Sequence, residues 1–177
     1  NIKLADLTDS RPDQFRIIQD DIYYMDLTRI TDRGMKNLVS ELKDKLPSAK
    51  FIIFDLRGDA NISEEFLGMF LNNSVPSVLR KFPVFTKPEG KPCTYLKLQG
   101  EITAKNPHVK ATVVFLIDER SSGASEIVAG FAKKYKIGLL VGARTSATAN
   151  EVFGINLPGN YKASIAGMLV EMPGEPD

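Results

Sequence analysis

Val113–Gly130 reads VVFLIDERSSGASEIVAG, and the change of pattern inside it decides the fold. Val113–Ile117 is an unbroken apolar run, which predicts a central strand, apolar on successive positions as in parallel sheets. After a short polar turn, SEIVAGFAKKY (Ser125–Tyr135) puts Ile127, Val128, Phe131, Ala132 and Tyr135 on one side at helical spacing. KIGLLVGAR (Lys136–Arg144) then returns to a strand pattern. Strand, helix and strand at this spacing predict a right-handed crossover between parallel strands.

The same alternation continues towards the amino terminus. KFIIFDLRG (Lys50–Gly58) is a second buried strand, and DIYYMDL (Asp21–Leu27) a third, rich in aromatic and branched residues. Between them, Met35, Leu38, Val39, Leu42 and Leu46 share a helical face, with Thr31 or Asp32 placed to cap its start and Pro47 to end it. ISEEFLGMFLNN (Ile62–Asn73) reads as a further helix. The stretch from Ser74 to Lys110 carries five prolines and reads as loops with short strands, TYLKLQG (Thr94–Gly100) the clearest. The expectation is one α/β domain over residues 1–177, with FIIFDLRG, VVFLIDE and KIGLLVGA adjacent, mostly parallel and buried on both faces.

Composition narrows the function. With 43% hydrophobic and 25% charged residues among 177, the chain is large enough to bury a sizeable core. A net charge of +1 gives no field for gathering nucleic acid, so no nucleic-acid partner is expected, and no apolar run is long enough for membrane insertion. One cysteine (Cys93) and one histidine (His108) exclude an internal disulfide and a zinc site built from those residues; neither metal nor cofactor is expected. The chain begins at Asn1 and closes on EMPGEPD, which suits a mature piece or an excised domain with flanking parts absent.

FIIFDLRG, VVFLIDERSSGASEIVAG and GLLVGART, in that order and spacing, resemble the catalytic core of the tail-specific, or C-terminal processing, serine peptidases, serine peptidase family 41. The resemblance covers roughly Tyr23 to Leu157. It implies a crotonase/ClpP-like spiral of βαβ units around a mostly parallel central sheet and an active site at the strand ends. It also implies a polypeptide or peptide C-terminus as partner and a bacterial envelope setting, periplasmic or secreted; no oligomeric state is assigned. The turn before the second helix would project a side chain where helix amides converge, the place for an oxyanion. Gly58 and Asp59 after DLR, with Ala124, would supply oxyanion and substrate contacts.

Registration against the family puts Gly123 at the nucleophile position and Thr148, twenty-five residues on, at the position of the lysine general base. Both expected side chains are missing. Ser122 is an alternative nucleophile under a shift of one residue, although such a shift re-aims a side chain by more than the ~0.5 Å tolerated at a reacting site. Asn61 and Ile62 stand where members often carry paired glycines, and His108 does not match the histidine of the tricorn-like branch. Plainer roles are expected elsewhere: Ser125 as helix N-cap, Glu126 favourable in the first turn, Asp55 and Arg57 as a structural ion pair, Tyr23, Tyr24 and Phe54 in the core, His108 on the surface.

Two functions follow. One is a peptidase domain without its nucleophile, inactive as it stands. The other is a non-catalytic module that keeps the cleft and binds extended chain ends or another apolar ligand, as the same domain does in a vertebrate retinoid-binding relative.

Overall fold

The computed structural model describes residues 11–85, 94–106, 108–149 and 152–174. The chain opens with β1 (Phe15–Gln19) and β2 (Ile22–Asp26), followed by α1 (Asp32–Glu41), β3 (Phe51–Asp55) and the two-residue β4 (Asp59–Ala60). A 3-10 helix over Glu64–Phe70 leads to β5 (Val75–Val84), β6 (Thr94–Ile102) and β7 (Thr112–Ile117). Then come β8 (Ser122–Gly123), α2 (Ala124–Lys134), β9 (Leu139–Gly142), the pair β10 (Val152–Leu157) and β11 (Tyr161–Ala166), and β12 (Leu169–Glu171).

The central sheet has the order β1-β2-β3-β7-β9. β1 runs antiparallel to β2, while β2, β3, β7 and β9 are mutually parallel neighbours. Phe54 pairs with Met25 on one side and Phe115 on the other. The three predicted strands are therefore adjacent and parallel, in a mixed α/β fold with a mostly parallel central sheet. A separate sheet, β12-β5-β6, stands beside it.

Burial on both faces does not hold. Tyr23, Met25, Ile52, Phe54, Val113 and Phe115 face the core, but Phe51 is 42% exposed and Leu139 on β9 is 61% exposed. β9 ends the sheet, so one of its edges has no neighbouring strand among the described residues. Against the core face pack Ile127, Val128, Phe131 and Ala132 of α2, all buried, with Tyr135 partly buried and stacked on Phe131 at 5.4 Å between ring centroids. Phe54 lies at the centre, its ring 5.2 Å from Phe66 and 5.4 Å from Phe115.

Three further expectations change. α1 starts as predicted, with Thr31 Oγ1 accepting from the Gly34 N–H, but ends at Glu41; Pro47 instead sits in a 3-10 turn over Leu46–Ser48. The predicted second helix is the 3-10 segment Glu64–Phe70. There Gly68 O accepts from Leu71 N and from Lys105 N outside the helix, and a Cβ on Gly68 would lie 2.2 Å from Thr103 O. Close backbone approach on one side thus replaces the wider helical turn. Finally, the proline-rich middle forms a ten-residue strand, β5. It tolerates Pro76 and Pro83 because β12 pairs only with Leu79–Lys81, so both prolines fall where β5 has one neighbour. Cys93, Pro88, Pro92 and Pro107 lie outside the described residues.

Candidate active-site cleft

The carboxyl ends of β2, β3 and β7 are fixed by aspartates. Asp26 accepts from Thr28 and from Arg29 Nε at 2.8 Å, with Arg11 at 3.1 Å. Asp55, fully buried, accepts from Arg57 Nε at 2.9 Å, Arg57 Nη2 at 2.6 Å and the Tyr24 hydroxyl at 2.7 Å. Burial on its own pushes the Asp55 carboxyl up, but the Arg57 and Tyr24 hydrogen bonds outweigh it and hold the group below the ordinary carboxylate range. Tyr24 is driven strongly upward, by burial first and then by its bond to Asp55. Asp118 after β7 accepts from Arg120 Nε at 2.9 Å. Asp55 and Arg57 thus make the structural pair expected of them, and Tyr24 is buried as part of it.

Beyond this row, the loop after β3 and the turn before α2 are stitched together. β4 runs parallel to β8, pairing Asp59 with Ser122 and Ala60 with Gly123. The Ser122 N–H donates to Gly58 O at 3.2 Å, and the buried Ser121 hydroxyl donates to Leu56 O at 2.7 Å. Ser125, expected as the N-cap of α2, is not one: the cap position is Gly123, without a side-chain bond, and Ser125 Oγ accepts from the Ala60 N–H at 3.1 Å. Starting α2 directly on the turn places Ser125 inside the first helical turn, where its hydroxyl reaches the neighbouring loop instead.

Gly123 has φ +53° and ψ −121°, a left-handed backbone that favours glycine. It sits on a sharp strand-to-helix turn, the arrangement by which a nucleophile elbow presents its side chain. A Cβ built on it would lie 2.6 Å from Asp59 Oδ1. Its N–H donates to Thr148 O at 3.3 Å. The loop carrying Thr148 is held by Glu126, whose buried carboxylate accepts from the Ala147 N–H at 2.7 Å and the Thr148 N–H at 2.6 Å. That double acceptance supports Ala147 at φ +59°. Thr148 Oγ1 is 2.6 Å from Ser146 Oγ, which in turn lies 2.9 Å from Ser121 O.

A cleft of about 500 Å³ opens here, lined by Asp59, Ser122, Gly123, Ala124 and Thr148, with Ile62, Glu64, Arg80, Ile127 and Ala149 completing its walls. It lies at the carboxyl ends of the parallel strands, where open α/β sheets receive ligands. Of the six candidate nucleophile, base and oxyanion residues, Gly58 is the one that stays off the cleft wall; its N–H donates to Leu56 O at 2.9 Å. His108, expected on the surface, is half-buried ahead of β7, its Nδ1 without a hydrogen-bond partner among the described residues. Glu126 is the residue whose role sequence reading missed, because its contacts are made 21 and 22 residues downstream. Among the described residues, no group of three or more His, Cys, Asp or Glu is arranged to hold a metal ion, and no helix is long and apolar enough to cross a membrane.

The described residues thus form a mostly parallel α/β sheet with a sharp strand-to-helix turn over a strand-end cleft. The sequence model of peptidase family S41 matches residues 21–160, and the chain belongs to that family. No curated protein sequence matches it. Among solved structures, a candidate peptidase from Parabacteroides merdae superposes with a TM-score of 0.62 at 14% identity, over 88% of this chain and 50% of that one. The photosystem II D1 C-terminal processing protease gives 0.58 at 16% identity, over 86% and 37%. Mature CPAF gives 0.63 at 10% identity, over 84% and 43%. The chain spans half or less of the length of these three, and at such identities the likeness is one of fold.

Proposed function

We propose that this domain of the S41 family has lost the catalytic pair of its relatives and binds polypeptide, chain ends included, without cutting it. The observation that carries the reading is Gly123: the residue at the elbow has no hydroxyl, and the space for a side chain there is filled by Asp59. Thr148 faces the same cleft with a hydroxyl in place of an amine, and among the described residues no lysine or histidine lines it. Amide hydrolysis needs a nucleophile and a base within about 2.6–3.2 Å of it. What remains is the start of α2, whose first residue Ala124 lines the cleft, with the partial positive charge of a helix amino terminus. Donors and binding alone leave about a thousandfold enhancement over water, far short of turnover on an amide.

The retained elbow favours one competing reading, a disarmed peptidase that regains activity when Gly123 is a serine. Labelling with a fluorophosphonate, followed by mass spectrometry, separates the two registers. No adduct is expected; an adduct on Ser122 moves the nucleophile by one residue and overturns the reading. Gly123→Ser is expected to leave unfolded protein substrates uncut, since Thr148 supplies no base. Brisk cleavage by that variant would restore the peptidase reading.

A further inference from the structure

The cleft contains one carboxylate that the protein itself does not use. Asp59 is exposed, and its carboxylate has no hydrogen-bond or ion-pair partner among the described residues, although it leans over Gly123. Four other acids at this end of the sheet are engaged. Asp26, Asp55 and Asp118 each hold an arginine. Glu64, the other carboxylate on the cleft wall, accepts from the Ser77 hydroxyl at 2.8 Å and lies 3.6 Å from Arg80, so the cation of the cleft is matched by an acid other than Asp59. The amino terminus of α2 contributes roughly half a positive charge, which offsets Asp59 only in part. Among the described lining residues the charge at the elbow is therefore net negative, between the apolar walls of Ile62 and Ile127.

We propose that Asp59 makes this cleft a receptor for a cationic side chain, the ammonium of a lysine or the guanidinium of an arginine within a bound polypeptide. The inference rests on the reading that the cleft binds polypeptide without cutting it. Such side chains combine an aliphatic stem with a charged head, and the cleft presents the complement: isoleucine walls and a carboxylate standing where relatives of the family would place a nucleophile's side chain. A scissile carbonyl, which is itself an acceptor, gains nothing from a carboxylate in that place; a cation does.

The experiment uses fluorescein-labelled unstructured peptides identical except at one position, which is lysine, arginine, norleucine or glutamate. Binding is read by anisotropy on the whole chain, beside Asp59→Asn and Asp59→Ala. A charge-assisted contact predicts that the lysine and arginine peptides bind about tenfold tighter than the norleucine peptide, with the margin shrinking as salt rises. Both variants should bring the lysine and norleucine peptides to within about twofold of each other. Equal affinities on the unaltered chain, or a lysine preference that survives both variants, overturn the role of Asp59 while peptide binding stands. Cleavage of the peptides overturns the binding-only reading separately, and binding of none of them overturns both.

Discussion

Asp55 and Asp59 stand four residues apart at the same end of the central sheet, yet their surroundings are opposite. Asp55 is fully buried and saturated by Arg57 and Tyr24; Asp59 is exposed in a cleft and has no partner among the described residues. The first arrangement spends its charge on holding the strand ends, so it is available for nothing else. The second leaves charge available to a ligand, beside a glycine whose backbone would strain any other residue. Rigid strand ends and an unsatisfied cleft are complementary, because a carboxylate can wait for a cation only if its surroundings do not collapse onto it.

The largest effect is expected from Asp55→Ala, which leaves Arg57 and the Tyr24 hydroxyl without their acceptor: about 3–5 kcal/mol of stability lost by urea unfolding at neutral pH. A loss under about 1 kcal/mol would erase the contrast between the two aspartates. The same group predicts a pH response. Its folded-state carboxyl is depressed, so its contribution is complete above the unfolded carboxylate value of ~3.9 and is lost as pH falls through the lower folded value. Urea midpoints of the unaltered chain and Asp55→Asn should therefore converge below about pH 4 and stay a constant interval apart between pH 5 and 7.

Gly123→Ser comes next, at about 1–3 kcal/mol for a side chain at positive φ, and it should be coupled to Asp59. Adding Asp59→Ala to Gly123→Ser is expected to recover part of that loss, a coupling of about 0.5–3 kcal/mol by double-mutant cycle. Strict additivity would mean that Asp59 does not fill the elbow. Ser125→Ala should cost about 1–3 kcal/mol, since it removes the acceptor of the Ala60 N–H in a buried setting. Smallest is Asp59→Asn, within about 0.5 kcal/mol by the same unfolding assay; a larger loss would assign this residue to the scaffold.

How far these features were legible in the sequence depends on how local their causes are. β2, β3, β7 and α2 follow from apolar periodicity alone, because each is decided by residues within one element. β5 was hidden because its prolines argue against a strand unless the length of β12 is known. The exposure of β9 depends on its neighbours in the sheet and not on its own apolar residues. Gly123 stood out by registration, but Asp59 lying over it, the Ser125 bond to Ala60 and the Glu126 bonds to Ala147 and Thr148 all join segments far apart in the chain. No periodicity in the sequence carries such contacts.

The central claim is that the cleft holds polypeptide and leaves it whole. One titration tests it directly: a lysine-containing peptide with a fluorescent donor at one end and a quencher at the other, read at once for anisotropy and for donor intensity. A saturable rise in anisotropy is expected as the chain is added, with intensity still quenched after prolonged incubation. A donor signal that grows with time, abolished by a fluorophosphonate, would show a working peptidase and contradict it.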